Sequence, residues 1–279
     1  MEWFEESHHA YWRQRFKIDR VLFHSRTEHQ DLIIFENRAF GRVMALDGVI
    51  QTTERDEFVY HETLVHVPVL AHGQARSLLI IGGGDGGSAR EALKHPGLER
   101  IVQVEIDPSV IDLSREYLPR HSDGAFDDPR VELVFADGAR WVEEASETFD
   151  VIAVDATDPI GPGAALYTQA FLDACARRLN RRGVFVAQAG NPLDLMHDQG
   201  QELGRIGDAF ADVAYFHATV PTYMGGPMMF SWGGTDPAIR EAAPDPAAVP
   251  AGLRHYSPAV HRAAFALPAW FLEPALAAP

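Results

Sequence analysis

Asp85 stands inside the run IIGGGDGG, Glu105 closes RIVQVE, Asp137 closes VELVFAD, and Asp155 and Asp158 follow one another in FDVIAVDATDPIGPG. Each of the first four positions lies at or just past the end of an apolar run that reads as a strand. One loop acid would pass for a solvated side chain, but repetition at the same edge is a signal. In open α/β sheets, ligands bind outside the carboxyl ends of the strands. A row of carboxylates there can accept hydroxyl or amino hydrogens, hold a cation, or take up a proton.

Gly82, Gly84 and Gly87 match the G-x-G-x-x-G turn that receives a dinucleotide pyrophosphate. Asp85 conflicts with that ligand, because a carboxylate among the loop N–H groups would repel phosphate. Glu105, eighteen residues after Gly87, has close to the spacing of an acid that binds a ribose hydroxyl pair. Asp137-Gly138 can reach an adenine amino group, although in isolation it reads equally well as a plain turn. Together these positions describe an adenosine-shaped site. A sulfonium nucleoside, which has no phosphate, suits Asp85 better than a nicotinamide dinucleotide does. Asp155 and Asp158 then form an acidic pair, and two neighbouring carboxylates raise one pKa unless a cation sits between them. A diamine or an aminopropyl tail would supply that cation, whereas an Asx-turn or helix cap would account for Asp158 alone.

The elements that must position these acids divide at about residue 55. Residues 1–55 carry short apolar runs and an Asp47-Gly48 hairpin signal, which predicts a small N-terminal antiparallel β-domain. Residues 56–279 alternate strands (SLLIIG, RIVQVEID, VELVFAD, FDVIAVDA, GVFVAQA) with helices, the texture of a parallel α/β sheet. Expected helices are EFVYHETLVHVPVLAH, SAREALKH, PSVIDLSREYL and ALYTQAFLDACARRL. Two later runs, DVAYFHATVPTY and GPMMFSWGG, read as a further strand pair, and DPAIREAAPDPAAVPAG as a surface connection. Met224, Met228 and Met229 read as core or pocket wall, Cys175 as a packing residue, and His8-His9 as solvent-facing.

Forty acidic residues against 24 Lys and Arg give a net charge of −16. That balance argues against nucleic acid, whose binding requires basic surface. It suits a cationic small molecule, though by itself it reads as a solubility charge. One cysteine excludes an internal disulfide and fits a reducing compartment. The polar N-terminus is no secretory signal, and no apolar run approaches membrane-spanning length, so a cytoplasmic protein is expected. His61-Glu62 with His66 is not a zinc motif. On a helix those two histidines would lie about 140° apart, and no metal is expected.

The segments HQDLIIFEN, FGRVMALDGVIQTTERDEFVYHE, LLIIGGGDGG, VEID, DATDPIGPG, VPTYMGG and AVHRAAFALP, in this order, resemble the bacterial spermidine synthases. The resemblance reaches to about Trp270 and implies a methyltransferase-type Rossmann-like domain carrying the small β-domain, in a homodimer or homotetramer. It implies transfer of the aminopropyl group of decarboxylated S-adenosylmethionine, as co-substrate, to putrescine, with no cofactor. Carried over by motif, Gln30, Glu105, Asp137, Gly138 and Pro162 contact the nucleoside, with Gly82 and Gly84 forming the turn. His61, Asp85, Asp155 and Asp158 line the path of the aminopropyl group and diamine, with Tyr60, Gln188 and Tyr223 as neighbours of the amine. Asp155 is the expected proton acceptor, and Asp158 holds the reacting end of the diamine. The other readings are a nicotinamide-dependent oxidoreductase, an S-adenosylmethionine-dependent small-molecule methyltransferase, and a non-catalytic polyamine- or nucleoside-binding protein. The segment AGNPLD, Ala189 to Asp194, departs from many relatives and leaves the acceptor open among putrescine, cadaverine and longer polyamines.

Overall fold

The computed structural model describes residues 2–9, 12–159, 161–193 and 199–272. Its N-terminal part begins with an antiparallel pair, β1 (Trp3–Glu5) and β2 (Arg15–Lys17), in which Phe4 faces Phe16. A four-stranded antiparallel sheet follows in sequential order: β3 (Arg20–Arg26), β4 (Asp31–Asn37), β5 (Gly41–Leu46) and β6 (Val49–Thr53). Asp47 and Gly48, at φ 47° and 82°, make the β5–β6 turn as expected from the sequence. Side chains alternate along these strands, so the sheet buries both faces. Phe16, Phe35, Val43 and Ile50 cluster together, while Leu32, Ile34, Met44 and Leu46 pack against Val110 and Leu118 of the larger part.

Helix α1 (Glu57–His72) is buried almost throughout and leads into the main sheet. Along the chain come β7 (Ser77–Gly82), α2 (Gly87–Leu93), β8 (Arg100–Glu105), α3 (Pro108–Tyr117) and the single turn α4 (Pro119–Ser122). They are followed by β9 (Val131–Phe135), α5 (Gly138–Glu144), β10 (Phe149–Asp155), α6 (Gln169–Arg178) and β11 (Leu179–Gln188). The described chain closes with α7 (Gln199–Ala209), β12 (Asp212–Thr219), β13 (Pro227–Gly234), α8 (Pro237–Glu241) and α9 (Pro258–Ala264). Among the described residues the sheet order is β12-β13-β11-β10-β7-β8-β9. The strands from β11 to β9 run parallel, with β12 and β13 antiparallel at one side. After β9 the chain returns to lay β10 beside β7, so the strand order reverses between those two. Their carboxyl ends, Gly82 and Asp155, are register partners at the crevice this reversal opens.

Two elements differ from the sequence expectation. The helix expected from Ala165 begins only at Gln169, because Thr168 caps it through a bond from Phe171 N and the preceding Gly161–Tyr167 forms tighter 3-10 turns. The supposed surface connection contains α8, capped by Asp236, which fully buries Ile239. The late segment is fastened to α1 by Glu62, 1% exposed. Its carboxylate accepts the backbone N–H groups of Arg254, His255 and Tyr256 at 2.9, 2.8 and 2.7 Å. Cys175 is fully buried in the core, as its surroundings in the sequence imply.

Candidate active site

The glycine loop is joined directly to the end of β10. Gly82 and Gly83 adopt φ 84° and 68°, which only glycine does readily. The N–H of Gly83 then donates to the carbonyl of Asp155 at 2.7 Å. A Cβ at Gly82 would overlap that carbonyl, and one at Gly83 would come within 2.8 Å of the Asp155 carboxylate. Gln103, fully buried, supports the loop from β8 by donating to the carbonyls of Gly82 and Gly83 at 2.9 and 2.6 Å. Asp85 and Asp155, seventy residues apart in sequence, therefore reach the same place.

A cavity of about 290 Å³ opens over these strand ends, with walls from both parts of the chain. Of the residues expected to hold a nucleoside, Gln30, Gly82, Gly84, Glu105, Asp137 and Gly138 line it. Gln30 donates to Asp107 at 3.1 Å, and Glu105 accepts the N–H of Asp107 at 2.9 Å, so β8 and the β3–β4 turn meet there. Asp137 also caps α5 by accepting from Arg140 N, so the turn and the site readings both apply. Tyr60, His61, Asp85, Asp155, Asp158, Gln188 and Tyr223 line the cavity as well. The side chain of Pro162 and Asp194 of AGNPLD lie outside the described residues.

The partner of Asp155 is not the one its sequence neighbourhood suggests. Ser88 Oγ donates to Asp155 at 2.6 Å and the Tyr60 hydroxyl also bonds to it, while Asp85 is the like charge beside it. Asp158 instead accepts from Gln188 at 3.3 Å, and Gln188 also donates to the hydroxyl of Tyr167 at 2.5 Å. Thr168 rather than Asp158 caps the following helix. Tyr223 gives its hydroxyl hydrogen to the carbonyl of Gln51 at 2.6 Å, with its ring 6.0 Å from that of Tyr60.

Charge states follow from these contacts. Burial opposes ionisation of His61, but Asp85 at 3.4 Å from Nε2 and Glu57 at 2.7 Å from Nδ1 outweigh it and keep the ring an imidazolium. Burial likewise opposes the charge on Asp85, yet His61 and the N–H of Gly87 hold it well below the usual carboxylate range. Asp155 moves the other way, raised by burial and by the charge of Asp85 against the pull of His61. Glu105 is pushed up to about 7, first by burial and further by Asp107, despite backbone N–H groups that favour its charge. The phenols of Tyr60 and Tyr223 stay protonated, since burial and the charge of Asp155 raise both.

A family model described as the spermine/spermidine synthase domain matches residues 57–243, and one described as the spermidine synthase tetramerisation domain matches residues 2–54. The chain belongs to the spermine/spermidine synthase family. Polyamine aminopropyltransferases of Serratia proteamaculans (strain 568) and Yersinia pestis (strain Pestoides F) are each 50% identical to it. The alignments cover 97% of this chain in both cases, and 96% and 93% of those proteins. A crystal structure of spermidine synthase with the transition state analogue AdoDATO superposes with TM-score 0.91 at 37% identity, covering 97% of this chain and 94% of that one. The spermidine synthase of Thermotoga maritima gives 0.90 at 37% identity, over 98% and 94%. The protein is thus an aminopropyltransferase of the spermidine synthase type, and the tetramerisation-domain match supports an oligomer. Among the described residues no helix is long and apolar enough to cross a membrane.

Several residues of this aminopropyltransferase site escape sequence reasoning. Glu6, 3% exposed, and His8 line the cavity from the segment after β1, and His8 Nδ1 lies 3.6 Å from Asp158. The expectation that His8-His9 face solvent is therefore wrong, since His9 is buried too. His66 is also buried, turned to Glu91 and His95 at 2.8 Å each, while His61 faces Glu57 and Asp85. Met224 and Met228 line the cavity and Met229 is core, in line with the sequence reading. An acid in a polar N-terminal stretch such as EWFEESHH carries no local pattern that marks it as buried. Ser88 and Gln103 offered a weak signal, one beside the glycine loop and one polar within a strand otherwise apolar.

Proposed function

We propose that the chain transfers the aminopropyl group of decarboxylated S-adenosylmethionine to putrescine, giving spermidine and methylthioadenosine. The observation that carries this reading is the pair of acids, Asp85 and Asp155, at the strand-order reversal where a dinucleotide-binding fold receives phosphate. A sulfonium donor with a cationic tail is favoured by such a site. The methylthioadenosine half sits with its ribose hydroxyls on Glu105 and its adenine near Asp137-Gly138, flanked by Gln30 and Pro162, over the turn at Gly82 and Gly84. Its aminopropyl ammonium meets Asp85 beside His61.

The amine nitrogen attacks the methylene next to sulfur, the C–S bond breaks, and its electron pair neutralises the sulfonium. The donor brings its own leaving group, so no metal or organic cofactor is called for. Alkylammonium groups have pKa values near 10 (by analogy with Lys), so the attacking nitrogen must lose a proton. Asp155 takes that proton, helped by desolvation of the bound amine and by its own raised pKa. Asp158 and Glu6 hold the diamine by charge, with Tyr60, Gln188 and Tyr223 along its path. Orientation for in-line attack supplies much of the remaining acceleration. Assembly into a homo-oligomer, a dimer or tetramer, fits the match over residues 2–54, and a cytoplasmic location is part of the same proposal.

The test is incubation with decarboxylated S-adenosylmethionine and putrescine, cadaverine or spermidine, followed by chromatography for methylthioadenosine. Formation with putrescine is expected, and no product with any amine would overturn the reading. AdoDATO, the transition state analogue bound in the similar spermidine synthase, should inhibit.

A further inference from the structure

Asp56 occupies the N-cap position of α1, where an Asp ordinarily accepts from an N–H of the first turn, yet its side chain makes no such bond. Its carboxylate turns the other way. Oδ1 accepts from Thr53 Oγ1 at 2.7 Å, and Oδ2 accepts the backbone N–H of Thr222 at 2.8 Å. Thr222 Oγ1 lies 2.9 and 2.8 Å from the two oxygens. Asp56, Thr53 and Thr222 are all buried, so these bonds form away from competing water. A helix cap is worth about 1 kcal/mol, and this Asp forgoes it to hold a loop that lies 166 residues away in sequence.

That loop delivers Tyr223, whose hydroxyl reaches the carbonyl of Gln51. The carbonyl of Thr222 in turn accepts Gln14 Nε2 at 2.8 Å, and the same amide donates to Glu6 Oε2 at 2.7 Å. Glu6 Oε1 takes the N–H of Ile50 at 2.9 Å. One continuous chain of bonds thus runs Asp56, Thr222, Gln14, Glu6. Its products, Glu6, Gln51 and Tyr223, line the cavity, whereas Asp56 and Gln14 are not among the lining residues. A single amide bonds to both Glu6 and Thr222 only while those two walls keep a fixed separation.

We propose that Asp56 and Gln14 are positioning residues that set which acceptor length this aminopropyltransferase prefers. The inference rests on the acceptor being a diamine, as proposed above. A diamine is measured by where its two charged ends find carboxylates. Asp155 is anchored to the glycine loop and does not move with the N-terminal segment. Glu6 does belong to that segment, and the Gln14–Thr222–Asp56 chain ties it to the loop carrying Tyr223, in addition to the link through Ile50 and Gln51. Loosening the chain therefore blurs the acceptor end while leaving the donor end, on β7 and β8, in place.

The experiment compares wild type with Gln14→Ala, Asp56→Asn, Thr222→Val and Thr222→Ser. It measures kcat and KM for putrescine and cadaverine, the Kd for methylthioadenosine, and the melting temperature. Each hydrogen bond lost is worth about 1 kcal/mol, or roughly fivefold. KM for putrescine is expected to rise about five- to tenfold in the first three variants, and the putrescine-over-cadaverine ratio of kcat/KM to fall by at least about threefold. The Kd for methylthioadenosine should stay within about twofold of wild type, and Thr222→Ser, which keeps the hydroxyl, should behave as wild type. Gln14 is only partly buried, so Gln14→Ala decides the matter if Asp56→Asn fails to fold. An unchanged diamine ratio in Gln14→Ala, or a loss of nucleoside binding as large as the loss for putrescine, would overturn the inference while leaving the proposed function standing. A wild-type protein that forms no methylthioadenosine would overturn both.

Discussion

Lowering the pH should release the nucleoside through Glu105. This carboxyl is 7% exposed and is pushed up to about 7 in the unliganded protein. Under the proposed function it must be ionised to accept both ribose hydroxyls. At pH 5.5 it lies about 1.5 units below its pKa, and at 1.36 kcal/mol per unit its deprotonation costs about 2 kcal/mol. The Kd for methylthioadenosine should therefore be roughly thirtyfold weaker at pH 5.5 than at pH 8.5. The slope should approach one decade per unit below 7 and flatten above it. Titration calorimetry in buffers of different ionisation enthalpy checks this directly, because binding at low pH should also release about one proton. Glu105→Gln should bind weakly and without that slope. The folded pKa is raised above the unfolded one, so the contribution of Glu105 to stability is fully present below about 4.5 and is lost as pH rises through about 7. Ligand should recover part of that loss at the alkaline end. A wild-type Kd that is flat from pH 5.5 to 8.5, or an equal slope in Glu105→Gln, would refute the assignment.

Asp155→Asn should lower kcat by about 10²- to 10⁴-fold, the range for losing a proton-transfer group, with nucleoside affinity by calorimetry nearly unchanged. Its melting temperature should not fall, since a neutral amide replaces a carboxylate that burial and Asp85 disfavour. Turnover within about tenfold of wild type would remove Asp155 from the proton-accepting role. Gly87→Ala places a Cβ inside the ring of His61. It should displace that imidazolium from Asp85 and depress kcat/KM by about a hundredfold or more with circular dichroism unaltered; an active variant would show that His61 can shift without consequence. Glu62→Gln replaces one carboxylate oxygen with an NH₂ facing backbone donors. It should lower stability by about 1–3 kcal/mol in urea melts, with kcat preserved at low temperature.

The main chemistry was legible because it is local or periodic. The run IIGGGDGG declared a turn that tolerates no side chain and a charge that tolerates no phosphate, and Asp47-Gly48 declared its hairpin. Acids at successive strand ends pointed to one edge of the sheet before any contact was known. What stayed hidden depends on contacts between distant segments. Asp155 was read with Asp158, its neighbour in sequence, whereas the register of β7 against β10 gives it Asp85. Nothing in the local sequence singles out Asp56, and only tertiary structure shows that its carboxylate serves Thr222. Glu6 and His8 lie in a stretch whose polarity disguises burial, because their surroundings come from residues 48–50, 158 and 222. The late start of α6 was missed for a smaller reason: apolar periodicity continues through ALYTQAF, while the capping hydroxyl of Thr168 interrupts it.

The small β-sheet faces two ways, and each face answers to a different demand. Met44 and Leu46 wall the cavity, while Val43 and Ala45, one peptide away on the same strand, pack with Phe16 and Phe35. The stretch that matches a tetramerisation domain is therefore also a wall of the cavity. A substitution selected for how subunits assemble would shift a strand whose alternate side chains line the cavity, so in lineages of this enzyme quaternary structure and substrate affinity should drift together.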